Sequence, residues 1–152
     1  MQRAKVLTED EITLSNLKKF FDGIYYKADL TDRGHLYVEV DGMLPVGISL
    51  DEHRKLLQFF VAYTIEYNQF TLKGVNRMNT AYNLARFSFL ELEKGDCLYM
   101  DYDLSYEGGV TPHQLLSALR LFSRVVSSAI REAKPQIQEE DSDTLVPERV
   151  LH

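Results

Sequence analysis

Asp101 and Asp103 stand two apart in the run Cys97 to Tyr106, and on an extended strand that spacing sends both carboxylates out of one face, beside Tyr99 and Ser105. Paired carboxylates are the acid and base of glycoside hydrolysis, so a small hydrolase would keep its machinery here. The same alternation has a plainer meaning, in which Leu98, Met100, Tyr102 and Leu104 point into a core and the carboxylate face is wet. That meaning accounts for the whole pattern. His35, His53, His113 and His152 are scattered, without the close His or Cys spacing that converges metal ligands. Cys97 has only Lys94 nearby to stabilise a thiolate and reads as a small strand filler. No Gly-x-Ser-x-Gly elbow is present, and Gly108-Gly109 lacks the further glycine spacing of a phosphate or dinucleotide loop. These two glycines instead permit a tight reversal of the chain. The residues call for neither a metal nor a cofactor, and the chain reads as a non-enzyme.

The elements that would position these groups follow from periodicity. Leu14, Leu17, Phe20, Phe21 and Ile24 recur at helical steps, giving a helix over about Thr13 to Asp22 that Gly23 ends. Tyr25 to Asp29 reads as a strand, Thr31-Asp32-Arg33-Gly34 as a turn, and His35 to Asp41 as a half-buried strand carrying Leu36, Val38 and Val40 inward. Asp41-Gly42 signals another turn, followed by a third strand over Val46 to Leu50. Lys55 to Ile65 is apolar on both faces, as a central strand requires. From Phe70 to about Leu84 the period turns helical, with Leu72, Val75, Met78, Asn79 and Tyr82 in phase. Two hairpin strands follow, Phe87 to Glu93 and Cys97 to Tyr106. Thr111-Pro112-His113-Gln114 then combines a capping threonine, a proline at the first helical position and a glutamine that closes a capping box. The helix it starts carries a broad apolar stripe, Leu115 to Ile130, and is expected to end at Lys134-Pro135.

Composition sets the outer limits. With 152 residues, 45% apolar and 26% charged, the chain has enough material for one domain with a real core. Residues 1–134 are expected to form it, and 135–152 an acidic flexible tail. That tail carries five acidic residues against Arg149 alone, so four of the net six negative charges sit there. Its apolar end, Val150-Leu151-His152, reads as a hook that docks on the body or on a partner. The negative balance opposes nucleic-acid binding, which rests on cation-driven counterion release. No apolar run approaches the ~20 residues of a membrane span. The start of the chain lacks an apolar signal core and Cys97 cannot pair internally, which together point to the cytoplasm.

Asn76, Asn79 and Asn83 share one face of the expected second helix, although asparagine is a weak helix former. Their amides either face solvent or clasp the start of the next strand near Arg86. Asn76-x-x-Asn79, Arg86-Phe87-Ser88, Gly95-Asp96 with Leu98, and Gly108-Gly109-Val110-Thr111 before an amphipathic helix together resemble the YbjN family, whose members are described as "putative bacterial sensory transduction regulators". The resemblance spans Gly23 to Arg131, and Met78 stands where many relatives carry an aromatic residue. It implies an α+β fold, a curved antiparallel sheet flanked by helices as in class I type III secretion chaperones, and commonly a homodimer. It transfers no catalytic residues. The expected function is a cytosolic, chaperone-like regulator that grips other proteins through Phe60, Val75, Met78 and Tyr82. The alternatives are a dedicated secretion chaperone for one effector and a hydrolase using Asp101 and Asp103.

Overall fold

The computed structural model describes residues 5–65, 71–139 and 149–151. Three helices, α1 (Leu14–Gly23), α2 (Thr71–Ala81) and α3 (Pro112–Glu139), accompany β1 (Ala28–Leu30), β2 (Leu36–Val38), β3 (Val46–Asp51), β4 (Leu56–Thr64), β5 (Arg86–Leu92), β6 (Gly95–Ser105) and β7 (Arg149–Leu151). The strands are antiparallel neighbours in the order β1-β2-β3-β4-β6-β5, and β7 pairs with β4 off that path. This is an α+β fold with an open sheet. The chain forms two compact units, residues 1–59 with 103–123 and residues 60–102 with 124–152, so β4, β6 and α3 each contribute to both.

The first unit is built on local signals. Thr13 Oγ1 accepts from the Asn16 amide and caps α1, which buries Leu17 and Phe21. The chain then leaves the helix through Tyr25, whose φ of 66° places a non-glycine residue in the left-handed region. That exit delays β1 to Ala28, three residues later than the sequence pattern suggests. Asp41 and Gly42 both take positive φ, and the Met43 amide donates to Val40 O at 2.8 Å, closing the tight turn between β2 and β3. Leu36, Val38, Val46, Ile48, Leu57 and Phe59 meet in the core, with Phe59 stacked on Phe122 at 6.2 Å.

Gly108 and Gly109, with φ of 78° and 101°, turn the chain from β6 into α3. The N-terminal segment lies on this turn. Leu7 N–H donates to Val110 O at 2.9 Å, Val110 N–H donates to Leu7 O at 2.8 Å, and Gly108 N–H donates to Glu9 Oε1. The capping box at the start of α3 is complete: Gln114 N–H donates to Thr111 Oγ1 at 3.1 Å and Thr111 N–H donates to Gln114 Oε1 at 2.9 Å.

Helix α3 does not stop at Lys134-Pro135 but runs to Glu139. Proline removes one i→i−4 hydrogen bond, and neighbouring bonds carry the helix past it. In the second unit, Val61, Tyr63, Phe87, Leu98, Met100 and Val126 are buried. β5 and β6 form a hairpin in continuous register from Arg86↔Asp101 to Leu92↔Gly95, closed tightly because Gly95 adopts φ 124°. Among the described residues no helix is long and apolar enough to cross a membrane.

Candidate functional site

The residues that carry most of the sequence signal converge in the second unit, where α2 lies beside β5. Two α2 side chains, Val75 and Met78, are buried, and Tyr82 just beyond the helix sets its ring 5.7 Å from Phe87. Asn79 faces the strand. Its Nδ2 donates to Phe87 O at 2.8 Å and its Oδ1 accepts from Phe87 N–H at 2.8 Å, so one amide holds both backbone groups of one residue. This is the pairing that a neighbouring strand would supply. Asn76 is exposed and takes part through its backbone carbonyl, which accepts from Thr80 Oγ1, while Asn83 is also exposed. Of the three asparagines only Asn79 bonds β5.

Directly opposed residues of an antiparallel pair share a face. The register therefore puts Arg86 with Asp101, Ser88 with Tyr99 and Leu90 with Cys97 on one side of the hairpin. Arg86 Nη2 donates to Asp101 Oδ2, and the carboxylate side chain is only 13% exposed. Tyr99 stacks on Phe60 of β4 at 6.1 Å, close to parallel. Asn79, Arg86, Phe87, Ser88, Leu90, Tyr99 and Asp101 line an open cleft of about 480 Å³. Leu90 and Tyr99 give it apolar walls, and its one carboxylate is already engaged by a guanidinium.

Asp103 does not line this cleft, and it lies in the part of β6 that belongs to the first unit. A strand sends i and i+2 to one side, and of these two carboxylates Asp101 is the one that lines the cleft. Cys97 is fully buried, and burial, followed by the charge of Asp96, pushes its thiol above the ordinary range. A group held neutral in this way stabilises the fold below its ordinary pKa and loses that contribution as pH climbs through the raised value. Because the thiolate is the reactive species, Ellman's reagent at pH 8 should label the native protein at least about 100-fold more slowly than urea-unfolded chain. Comparable rates would show that the strand opens readily. No group of three His, Cys, Asp or Glu side chains suited to a metal occurs among the described residues.

The expected gripping residues are placed differently from the sequence reading. Phe60, Val75 and Met78 are 9%, 8% and 8% exposed, so they fill the chain's own interior, and Tyr82 is half-buried. Periodicity told which side chains are in phase but not which face of α2 meets a strand. The residues presented outward are Leu72 at 57%, Leu92 at 46% and Leu90 at 37%. A signal for them existed in the sequence: the outward series Arg86, Ser88, Leu90, Leu92 changes from polar to apolar halfway along β5.

The model of the YbjN family, described as "Putative bacterial sensory transduction regulator", matches residues 46–135 and so contains the whole cleft. The chain belongs to the YbjN family. A crystal structure of YbjN from E. coli, described as "a putative transcription regulator", shares the fold with a TM-score of 0.67 and 19% identity, covering 81% of this chain and 92% of that one. No curated protein matches the chain. Asn76, Asn79, Arg86, Gly108, Gly109 and Thr111 all fall within the span matched to the YbjN model.

Proposed function

We propose that this YbjN-family protein is a non-enzymatic, cytoplasmic regulator that works by binding other polypeptides as a homodimer, in bacterial sensory transduction. The observation that carries the reading is the outward row on β5. This strand ends the sheet order, and Leu90 and Leu92 stand exposed on it next to the apolar cleft. Leucines set two apart on one strand face form a continuous apolar strip, which gains by being covered. An engaged carboxylate in an open cleft favours recognition over proton transfer, since a general acid or base must be free to exchange its proton. The family description supplies the regulatory setting.

In the full chain, replacing Leu90 and Leu92 with glutamate is expected to raise the dimer dissociation constant about 100-fold, roughly 2.7 kcal/mol, by burying charge in an apolar contact. Replacing Asp101 with asparagine should leave it unchanged. Light scattering across a concentration series reads both. A wild-type chain that is monomeric at every concentration, or a double variant as dimeric as wild type, defeats the proposal.

A further inference from the structure

A second binding element lies on β4. From the hairpin turn after Asp51, the six residues of β3 can oppose at most six of the nine residues of β4, counted from Leu56. The last three, Ala62, Tyr63 and Thr64, extend past that reach. Those three pair, antiparallel, with Leu151, Val150 and Arg149 of β7. The slot and its filler thus have the same length. Eighty-four residues separate Thr64 from Arg149 in sequence, so the pairing is a long-range docking and not part of a local hairpin.

The hydroxyl of Thr64 adds an independent observation. Thr64 Oγ1 is buried without a hydrogen-bond partner among the described residues, at the end of the slot where Arg149 pairs. A buried hydroxyl left this way costs free energy that an incoming polar group would recover. A strand of three residues gains little pairing energy against its ordering entropy and is readily exchanged.

We infer that the Ala62–Thr64 edge of β4 is a strand-addition site for an extended peptide segment of basic-then-apolar character, occupied in the free protein by the chain's own Arg149-Val150-Leu151. Main-chain ladder bonds would supply affinity, and the slot admits any extended segment of suitable side chains. The resident strand sets the pattern for a competitor: a cation first, as at Arg149, then two apolar residues, as at Val150 and Leu151. This inference rests on the protein-binding reading above but uses a different strand, so its failure leaves the β5 surface standing.

The test keeps the full chain and releases the resident strand by replacing both Val150 and Leu151 with proline. Successive residues of a strand point their N–H groups to opposite sides, so one of the two prolines must remove a ladder bond. A fluorescent synthetic peptide of residues 145–152 is expected to bind this double variant at least 10-fold more tightly than wild type. The same peptide carrying the two prolines should bind neither. Ile65 N–H donates to Asp96 O of β6, so by alternation the Ala62 and Thr64 amides face the slot; their hydrogen exchange should quicken in the variant while that of Tyr63 and the melting curve hold. Equal binding by wild type and variant, or no binding by a variant whose slot amides have been released, overturns the inference. So does a wild-type dimer whose mass halves in the variant, because the resident would then be a strand exchanged between copies.

Discussion

Replacing Gly109 with alanine is expected to destabilise the protein by about 3 kcal/mol and to lower its melting temperature by about 6–12 °C, the usual conversion for a chain of this size. Two effects add. At φ 101° an L-residue is strained, at a cost of roughly 1–2 kcal/mol. A β-carbon there would also lie 2.9 Å from Leu7 O and 2.9 Å from Val6 Cγ1, closer than such contacts allow. The N-terminal segment must withdraw, which endangers the two Leu7–Val110 backbone bonds, each worth about 0.5–1.5 kcal/mol net. Gly108 provides the control, since it has φ 78° and nothing within 4 Å of an added β-carbon. Gly108→Ala should therefore cost only the conformational part, about 1–2 kcal/mol. Thermal melts of both variants decide the matter, and equal losses would show that the contact with Leu7 contributes nothing.

Where a structural feature depends on neighbours in sequence, it was legible. The Asp41-Gly42 turn, the capping box of Thr111 and Gln114, and the alternation of β6 all rest on residues within a few positions of one another. The element order followed from these. Features that depend on distant parts of the chain were not legible. That Val75 and Met78 turn inward depends on where β5 lies, and periodicity alone leaves the buried side of a helix open. The passage of α3 beyond Pro135 similarly overrides a local stop signal. The β7 pairing joins residues more than eighty positions apart, and the terminal apolar residues announced only a hook without its dock. His152, 66–70 and 140–148, including the first residue of the expected second helix and most of the acidic tail, lie outside the described residues.

The cleft shows the same division between local and distant information, and Asn79 is where it can be measured. Sequence spacing made Asn76, Asn79 and Asn83 equivalent, whereas the structure gives only Asn79 the two bonds to Phe87. Because β5 ends the strand order, that amide stands where the next strand would be and blunts an edge that would otherwise invite pairing between copies. Asn79→Ala should cost about 2 kcal/mol: the loss of two part-buried hydrogen bonds at about 1 kcal/mol each, with the stranded backbone groups of Phe87 adding to it and the better helix propensity of alanine offsetting roughly 0.6 kcal/mol. Asn76→Ala, three residues earlier on an exposed position, should instead be neutral or stabilise by a few tenths of a kcal/mol, since only propensity changes. Asn79→Asp keeps an acceptor for the Phe87 amide but sets a carboxylate oxygen against its carbonyl, so it should fall on the destabilised side as well. Urea denaturation measures the stabilities, and exchange of the Phe87 amide localises the effect. Opposite signs at positions 76 and 79, with faster Phe87 exchange only in the latter, are the expected result; matching effects would mean that the clasp is incidental to how β5 is held.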